Sequence, residues 1–121
     1  MSDGTARARR VLILEDEVLL AMNLHDLLTD LGHQVMGIAT RVDRAITLAH
    51  DGDFDFAILD INVAGTLSFP VADILRARGI PFLFASGYGA IGVRGTHGCN
   101  QVLSKPYDRR DLDLAIAQAL G

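Results

Sequence analysis

Val11-Leu12-Ile13-Leu14-Glu15-Asp16-Glu17 (residues 11–17) and Phe56-Ala57-Ile58-Leu59-Asp60-Ile61-Asn62 (residues 56–62) decide the fold. Each opens with a four-residue apolar run that stops on a carboxylate. Such a run has no polar alternate face, so it reads as a strand buried on both sides of a parallel sheet. Between the two, Leu20, Leu24, Leu27, Leu28 and Leu31 recur at helical spacing, and Gly32 stands where that helix would end. Residues 34–39 read as a second strand. Thr40 is placed to cap a helix with Val42, Ala45, Ile46 and Ala49 on its inner face.

Beyond Asp60 the alternation continues. Val71, Ile74 and Leu75 mark a third helix, closed by Gly79. Residues 80–85 form a fourth strand, with Pro81 near its start, where a missing N–H is tolerable. Residues 101–103 make a short fifth strand. Asp108 caps a last helix with Leu112, Ala115, Ile116, Ala119 and Leu120 inward, and Asp111 suits its N-terminal dipole. Five strand–helix alternations predict an α/β fold: a doubly wound, flavodoxin-like, five-stranded parallel sheet in the order 2-1-3-4-5. The segment expected to carry the fourth helix, GYGAIGVRGTHG (residues 87–98), holds five of the chain's 12 glycines. Each interior glycine costs a helix about 1 kcal/mol, so a weak or mobile helix is expected there. Residues 1–9 read as a disordered tail and residues 10–121 as one domain.

The chain has 121 residues, is 50% apolar and 21% charged, and carries a net charge of −4. No apolar run approaches the ~18 residues that span a membrane, and residues 1–10, MSDGTARARR, have no apolar stretch, so no signal peptide is expected. The acidic balance gives no reason to bind DNA. Arg7, Arg9 and Arg10 form the one basic cluster, read as a solvated tail. A single cysteine, Cys99, fits a reducing, cytoplasmic setting. Asp51, Asp53 and Asp55 lack the rest of a calcium loop and read as the solvated turn before the third strand.

In such a sheet, ligands bind beyond the carboxyl ends of the strands. Strand one ends in Glu15 and Asp16, strand three in Asp60 and strand four in Ser86. Strand five is followed by Lys105, the only lysine beside ten arginines. Three crowded carboxylates repel one another, which raised pKa values or a bound cation would relieve. An all-oxygen set suits Mg²⁺ with open positions for phosphoryl oxygens. Lys105 would complement those oxygens as a point charge, Ser86 could donate to them, and Asp60 is placed as a nucleophile for an acyl phosphate. Taken singly, Asp16 could equally cap the first helix, and Lys105 could be an ordinary surface lysine.

The motifs VLILEDE, FAILDIN, FASGYG and LSKPY together resemble the receiver domain of bacterial two-component response regulators, over residues 10–121. The resemblance implies that Asp60 is the phosphoacceptor, and that Glu15, Asp16, Asp60 and the backbone carbonyl of Asn62 hold Mg²⁺ or Mn²⁺. In this set Asp16 binds directly and Glu15 through water. It further implies that Ser86 and Lys105 meet the phosphoryl group and that the Lys105–Pro106 bond is cis. The partners it implies are a sensor histidine kinase or histidine phosphotransfer protein, and a downstream protein at residues 87–120. The output, a relay and a phosphate sink all remain open.

Two features depart from the common receiver pattern. The aromatic usual three positions before the lysine is replaced by Val102, and the loop after Asp60 reads INVAGTLSFP. FASGYG is similar to the Phe-Ala-Thr-Gly-x-Tyr subgroup, which lacks that aromatic, so Tyr88 is the candidate switch residue. Tyr107 is expected to pack at the sheet edge. Two rivals are an aspartyl-phosphate phosphatase of the haloacid dehalogenase type and a flavin carrier. The first needs an Asp where Asn62 stands. The second needs a Ser/Thr/Gly-rich loop where Glu15, Asp16 and Glu17 stand. The chain is therefore expected to act as a signalling module rather than a turnover enzyme, promoting only its own phosphoryl transfer and dephosphorylation.

Overall fold

The computed structural model describes residues 8–86 and 102–120. Its elements are β1 (Arg10–Leu14), α1 (Val18–Asp30), β2 (Gln34–Ala39), α2 (Val42–Asp51), β3 (Phe56–Asp60), β4 (Asn62–Val63), β5 (Thr66–Leu67), α3 (Phe69–Arg78), β6 (Phe82–Ser86), β7 (Val102–Ser104) and α4 (Arg109–Leu120). The five longer strands form one parallel sheet in the order β2-β1-β3-β6-β7, which is the expected 2-1-3-4-5 order. β4 and β5 pair antiparallel as a separate two-stranded ribbon, where the sequence reading has only a loop. Residues 87–101, including Tyr88, His97, Cys99 and the expected weak fourth helix, lie outside the described residues.

Side-chain alternation along the strands builds two cores. Leu12, Leu14, Ala57, Leu59 and Phe84 pack with Val42, Ala45 and Ala49 of α2 and with Val71, Ala72 and Leu75 of α3. Val11, Ile13, Phe56, Ile58, Leu83 and Ala85 pack with Leu24 and Leu28 of α1 and with Leu112 and Ile116 of α4. Because both faces of the central strands are covered, β1, β3 and β6 have to be apolar along their length, whereas the edge strand β2 alternates, and each large buried side chain stabilises the fold by about 1.5–3 kcal/mol. Phe84 also meets Phe69 and Phe82 edge-on, at 5.7 and 5.6 Å between ring centres.

Helix ends refine the sequence reading. Gly79 closes α3 at φ +73°, a left-handed conformation that glycine adopts without strain. Asp108 and Asp111 cap α4 reciprocally: Asp111 N–H donates to Asp108 Oδ1 at 2.8 Å and Asp108 N–H to Asp111 Oδ2 at 3.1 Å. Thr40 does not cap α2. Arg41 is the N-cap, still in an extended conformation, and it makes no side-chain cap bond. The fourth long strand starts at Phe82, because Ile80 N–H turns back to Leu75 O and only the Pro81 carbonyl reaches Ala57 N–H. Arg9, within the expected tail, is bonded to the start of β2. Arg9 N–H donates to His33 Nδ1 at 3.0 Å, and Arg9 O accepts from Gln34 N–H. Arg10 opens β1 and lies 2.8 Å from Asp53, while its N–H donates to Asp55 Oδ1. Asp53 and Asp55 are therefore tied to the sheet and are not merely a solvated turn.

Candidate functional site

The strand register decides which side chains can meet. Leu14 lies beside Leu59, Asp60 beside Ala85 and Ser86 beside Ser104. The carboxyl ends of β1, β3, β6 and β7 thus finish nearly level. Glu15 and Asp16 follow β1 directly, Asp60 is the last residue of β3, and Ser86 is the last of β6. Lys105 follows β7, and its N–H donates to Ser86 O at 2.9 Å, which ties the lysine-bearing loop to the end of β6. The Lys105–Pro106 bond is cis, in line with the resemblance.

The charged groups converge. Lys105 Nζ donates to Glu15 Oε1 at 2.8 Å and lies 3.4 Å from Asp60 Oδ1. Glu15 is 4% exposed and its other oxygen accepts Glu17 N–H at 3.1 Å, so both of its carboxylate oxygens are engaged. Asp60 Oδ1 accepts from Ile61 N–H at 3.0 Å. Asp16 Oδ2 accepts from Ala64 N–H at 3.0 Å, a contact with the ribbon turn that the sequence reading did not include. Asp16 therefore does not cap α1, whose N-cap is Glu17. Asn62 opens the ribbon directly after Ile61, with its side chain turned to Gly65 N–H.

Burial and charge act oppositely on the two central groups. Desolvation raises the Asp60 pKa from 3.8 to about 6; Lys105 opposes this, while the neighbouring Glu15 and Asp16 carboxylates add to it. Burial disfavours the Lys105 ammonium, but the hydrogen bond to Glu15 and the charge of Asp60 outweigh it, and its pKa rises. The Tyr107 phenol is pushed up to about 12, first by burial, with Lys105 opposing and Glu15 and Asp60 adding to the rise. Its ring packs against the α1–α4 core, as expected for a packing residue. Val102, at the position of the usual aromatic, packs on the opposite core. Tyr88 falls among residues 87–101, outside the described residues.

Glu15, Asp16 and Asp60 each offer one oxygen within 4.8 Å of the others. Three carboxylate oxygens this close, with Asp60 partly desolvated and protonated more readily than usual, fit a hard divalent cation on the chemistry of the donor set. The signal for this site lay in the strand-end residues. The signal for the ribbon was fainter: an Ala-Gly pair between Val63 and Thr66, where hairpin turns favour Asn-Gly or Asp-Gly.

The family model for the response regulator receiver domain matches residues 11–117. The phyllosphere-induced regulator PhyR of Methylorubrum extorquens is 33% identical over 117 residues, covering 93% of this chain and 44% of that protein. The chain spans about half or less of the length of the first curated relatives it matches. The solution structure of SdrG from Sphingomonas melonis Fr1 is 39% identical, with a TM-score of 0.84, covering 94% of this chain and 98% of SdrG. The receiver domain of the sensor histidine kinase PA1611 from Pseudomonas aeruginosa PAO1, solved with magnesium in its active-site cleft, shares the fold. Its TM-score is 0.80 at 21% identity, over 95% of this chain and 99% of that one. Among the described residues, no helix is long and apolar enough to cross a membrane.

Proposed function

The chain belongs to the response regulator receiver family, and from that premise we propose that it accepts a phosphoryl group on Asp60 from a histidine kinase or histidine phosphotransfer protein. The observation that carries this reading is Asp60 itself. It ends β3, lies 3.4 Å from the Lys105 ammonium, and shares an acidic pocket with Glu15 and Asp16.

An Asp60 carboxylate oxygen attacks the phosphorus of a phosphohistidine. The P–O bond forms as the P–N bond breaks, and the imidazole leaves with its electron pair. Lys105 is the point charge for the phosphoryl oxygens, and the Ser86 hydroxyl is placed at the neighbouring strand end to donate to them. Glu15, Asp16, Asp60 and the Asn62 backbone carbonyl would hold Mg²⁺ or Mn²⁺, which supplies charge neutralisation for the phosphoryl group when bound. The magnesium in the PA1611 receiver cleft supports the choice of ion. The phosphatase reading is not favoured, since Asn62 offers no general acid.

Signalling then proceeds by contact with a downstream protein through residues 87–120, by relay, or by use as a phosphate sink, in the cytoplasm. The test is intact mass after incubation with Mg²⁺ and a small phosphodonor, repeated with an inert phosphoryl mimic in case hydrolysis is fast. One phosphoryl adduct on the wild type and none on Asp60→Asn is expected. No adduct, or an equal adduct on the variant, would overturn the proposal.

A further inference from the structure

Each carboxylate of the acidic pocket is held by a different part of the chain. Glu15 is held by Lys105 and by its own loop, and Asp60 by Ile61 N–H and Lys105. Asp16, half-buried on the bend between β1 and α1, is held from 48 residues away by Ala64 N–H. That N–H sits at the tip of the β4–β5 ribbon, where Ala64 has φ +51° and Gly65 φ +86°. Two successive positive φ values make the tight turn that matches strand twist. Glycine adopts this conformation freely, whereas alanine pays a steric penalty there. A non-glycine residue stays in that region only when its surroundings over-determine it.

Two bonds do so here. Asn62 Oδ1 accepts Gly65 N–H at 3.0 Å and pins the turn from within the ribbon. Asp16 Oδ2 accepts Ala64 N–H at 3.0 Å and pins it from the pocket side. Among the described residues, Asp16 Oδ1 makes no hydrogen bond. A carboxylate with one oxygen fixed by an N–H donor is restricted in rotation, and its second oxygen is left for a cation.

From this geometry we propose that the ribbon turn is the positioning element for Asp16, with Asn62 and Ala64 as positioning residues that set the affinity of the pocket for its divalent cation. The proposal rests on the reading of the pocket given above and deepens it. Asn62 acquires a second task through its side chain, apart from any task of its backbone carbonyl. The ribbon is then part of the site rather than a connector between β3 and α3.

The test is the affinity of the full chain for Mg²⁺ alone, followed by NMR titration with no phosphodonor present. Ala64→Val places a β-branched residue where φ is positive, which forces the turn to move. Its Mg²⁺ affinity should fall about tenfold, the lower end of what loss of a partner to a metal-ligating group costs. Asn62→Ala removes the internal pin and should weaken binding several-fold. Ala64→Gly keeps the N–H and tolerates the conformation, so its affinity should stay within about twofold of wild type. Asn62→Ala carries the test if Ala64→Val fails to fold. Wild-type affinity in folded Asn62→Ala, or in folded Ala64→Val, would overturn the ribbon's role while Asp16→Asn still abolished binding. A wild type that bound no Mg²⁺ would instead defeat the reading of the pocket itself, and this inference with it.

Discussion

Replacing Asp60 by asparagine should make the cation-free protein more stable at neutral pH. The folded chain raises the Asp60 pKa from 3.8 to about 6, chiefly by desolvation. A folded-state pKa above the unfolded value means that the native state binds the proton more tightly. Stability is therefore greatest below the unfolded value, falls as pH rises between 3.8 and about 6, and stays reduced above that. A gap of roughly two units corresponds to about 3 kcal/mol at ~1.4 kcal/mol per unit. Solvent reaching a side chain that is 13% exposed trims this, so a gain of about 1–3 kcal/mol is expected for Asp60→Asn at pH 7.5. The substitution keeps an oxygen for Ile61 N–H and leaves Lys105 with Glu15 at 2.8 Å, so no charge is orphaned. The assay is urea unfolding in the presence of EDTA at pH 7.5 and 4.5. The gain should shrink by about two-thirds at the lower pH, as the wild-type carboxyl takes up its proton. Saturating Mg²⁺ should then stabilise the wild type more than the variant, by mass action. A variant no more stable than wild type at pH 7.5, or one whose gain ignores pH, would refute the reasoning.

Three further substitutions test separate parts of the structure. Lys105→Met leaves the buried Glu15 without its ammonium and should cost about 2–4 kcal/mol by urea unfolding at pH 7.5, the opposite sign to Asp60→Asn. Ser68 is fully buried, and its hydroxyl has no hydrogen-bond partner among the described residues. Ser68→Ala should therefore leave the Tm unchanged or raise it, by up to about 1 kcal/mol of stability. Asp108→Ala removes one half of the reciprocal cap on α4 and should lower the Tm, read by thermal unfolding against wild type.

The strands and the strand-end site were legible because one physical demand writes both. A parallel strand covered on both faces has to be apolar, so a carboxylate can appear only where the strand leaves the sheet. Glu15 and Asp60 mark those places in the sequence. The ribbon was not legible for the opposite reason. Its strands are two residues each, too short to show a period, and its turn uses alanine where the usual signal is asparagine or aspartate. The bond from Ala64 to Asp16 depends on that turn and was hidden with it. The pairing of Arg10 is not visible in the sequence, because a basic cluster such as Arg7, Arg9 and Arg10 looks alike whether it is solvated or paired. Only the fold brings Asp53 and Asp55 beside it. Thr40 was a sound cap residue one position too early, since Arg41 remains extended before α2 begins.

The single lysine of the chain takes on a sharper meaning in this setting. Its ammonium contacts two carboxylates at once, Glu15 at 2.8 Å and Asp60 at 3.4 Å, from a side chain only 18% exposed. A compact ammonium on a flexible stem can shift between such partners, whereas the broad planar fork of arginine suits fixed bidentate pairing. The cation-free pocket holds more negative than positive charge, and the Glu15 and Asp16 carboxylates add to the desolvation that raises the Asp60 pKa. On the proposed function, a divalent cation would remove the imbalance, and a phosphoryl group on Asp60 would restore part of it beside Lys105. The pull on Lys105 would then run toward Asp60 and away from Glu15. Lys105 N–H is bonded to Ser86 O, and Asp108, three residues on, caps α4. Charge arriving at the end of β3 therefore acts on a side chain whose own backbone leads directly into the last helix.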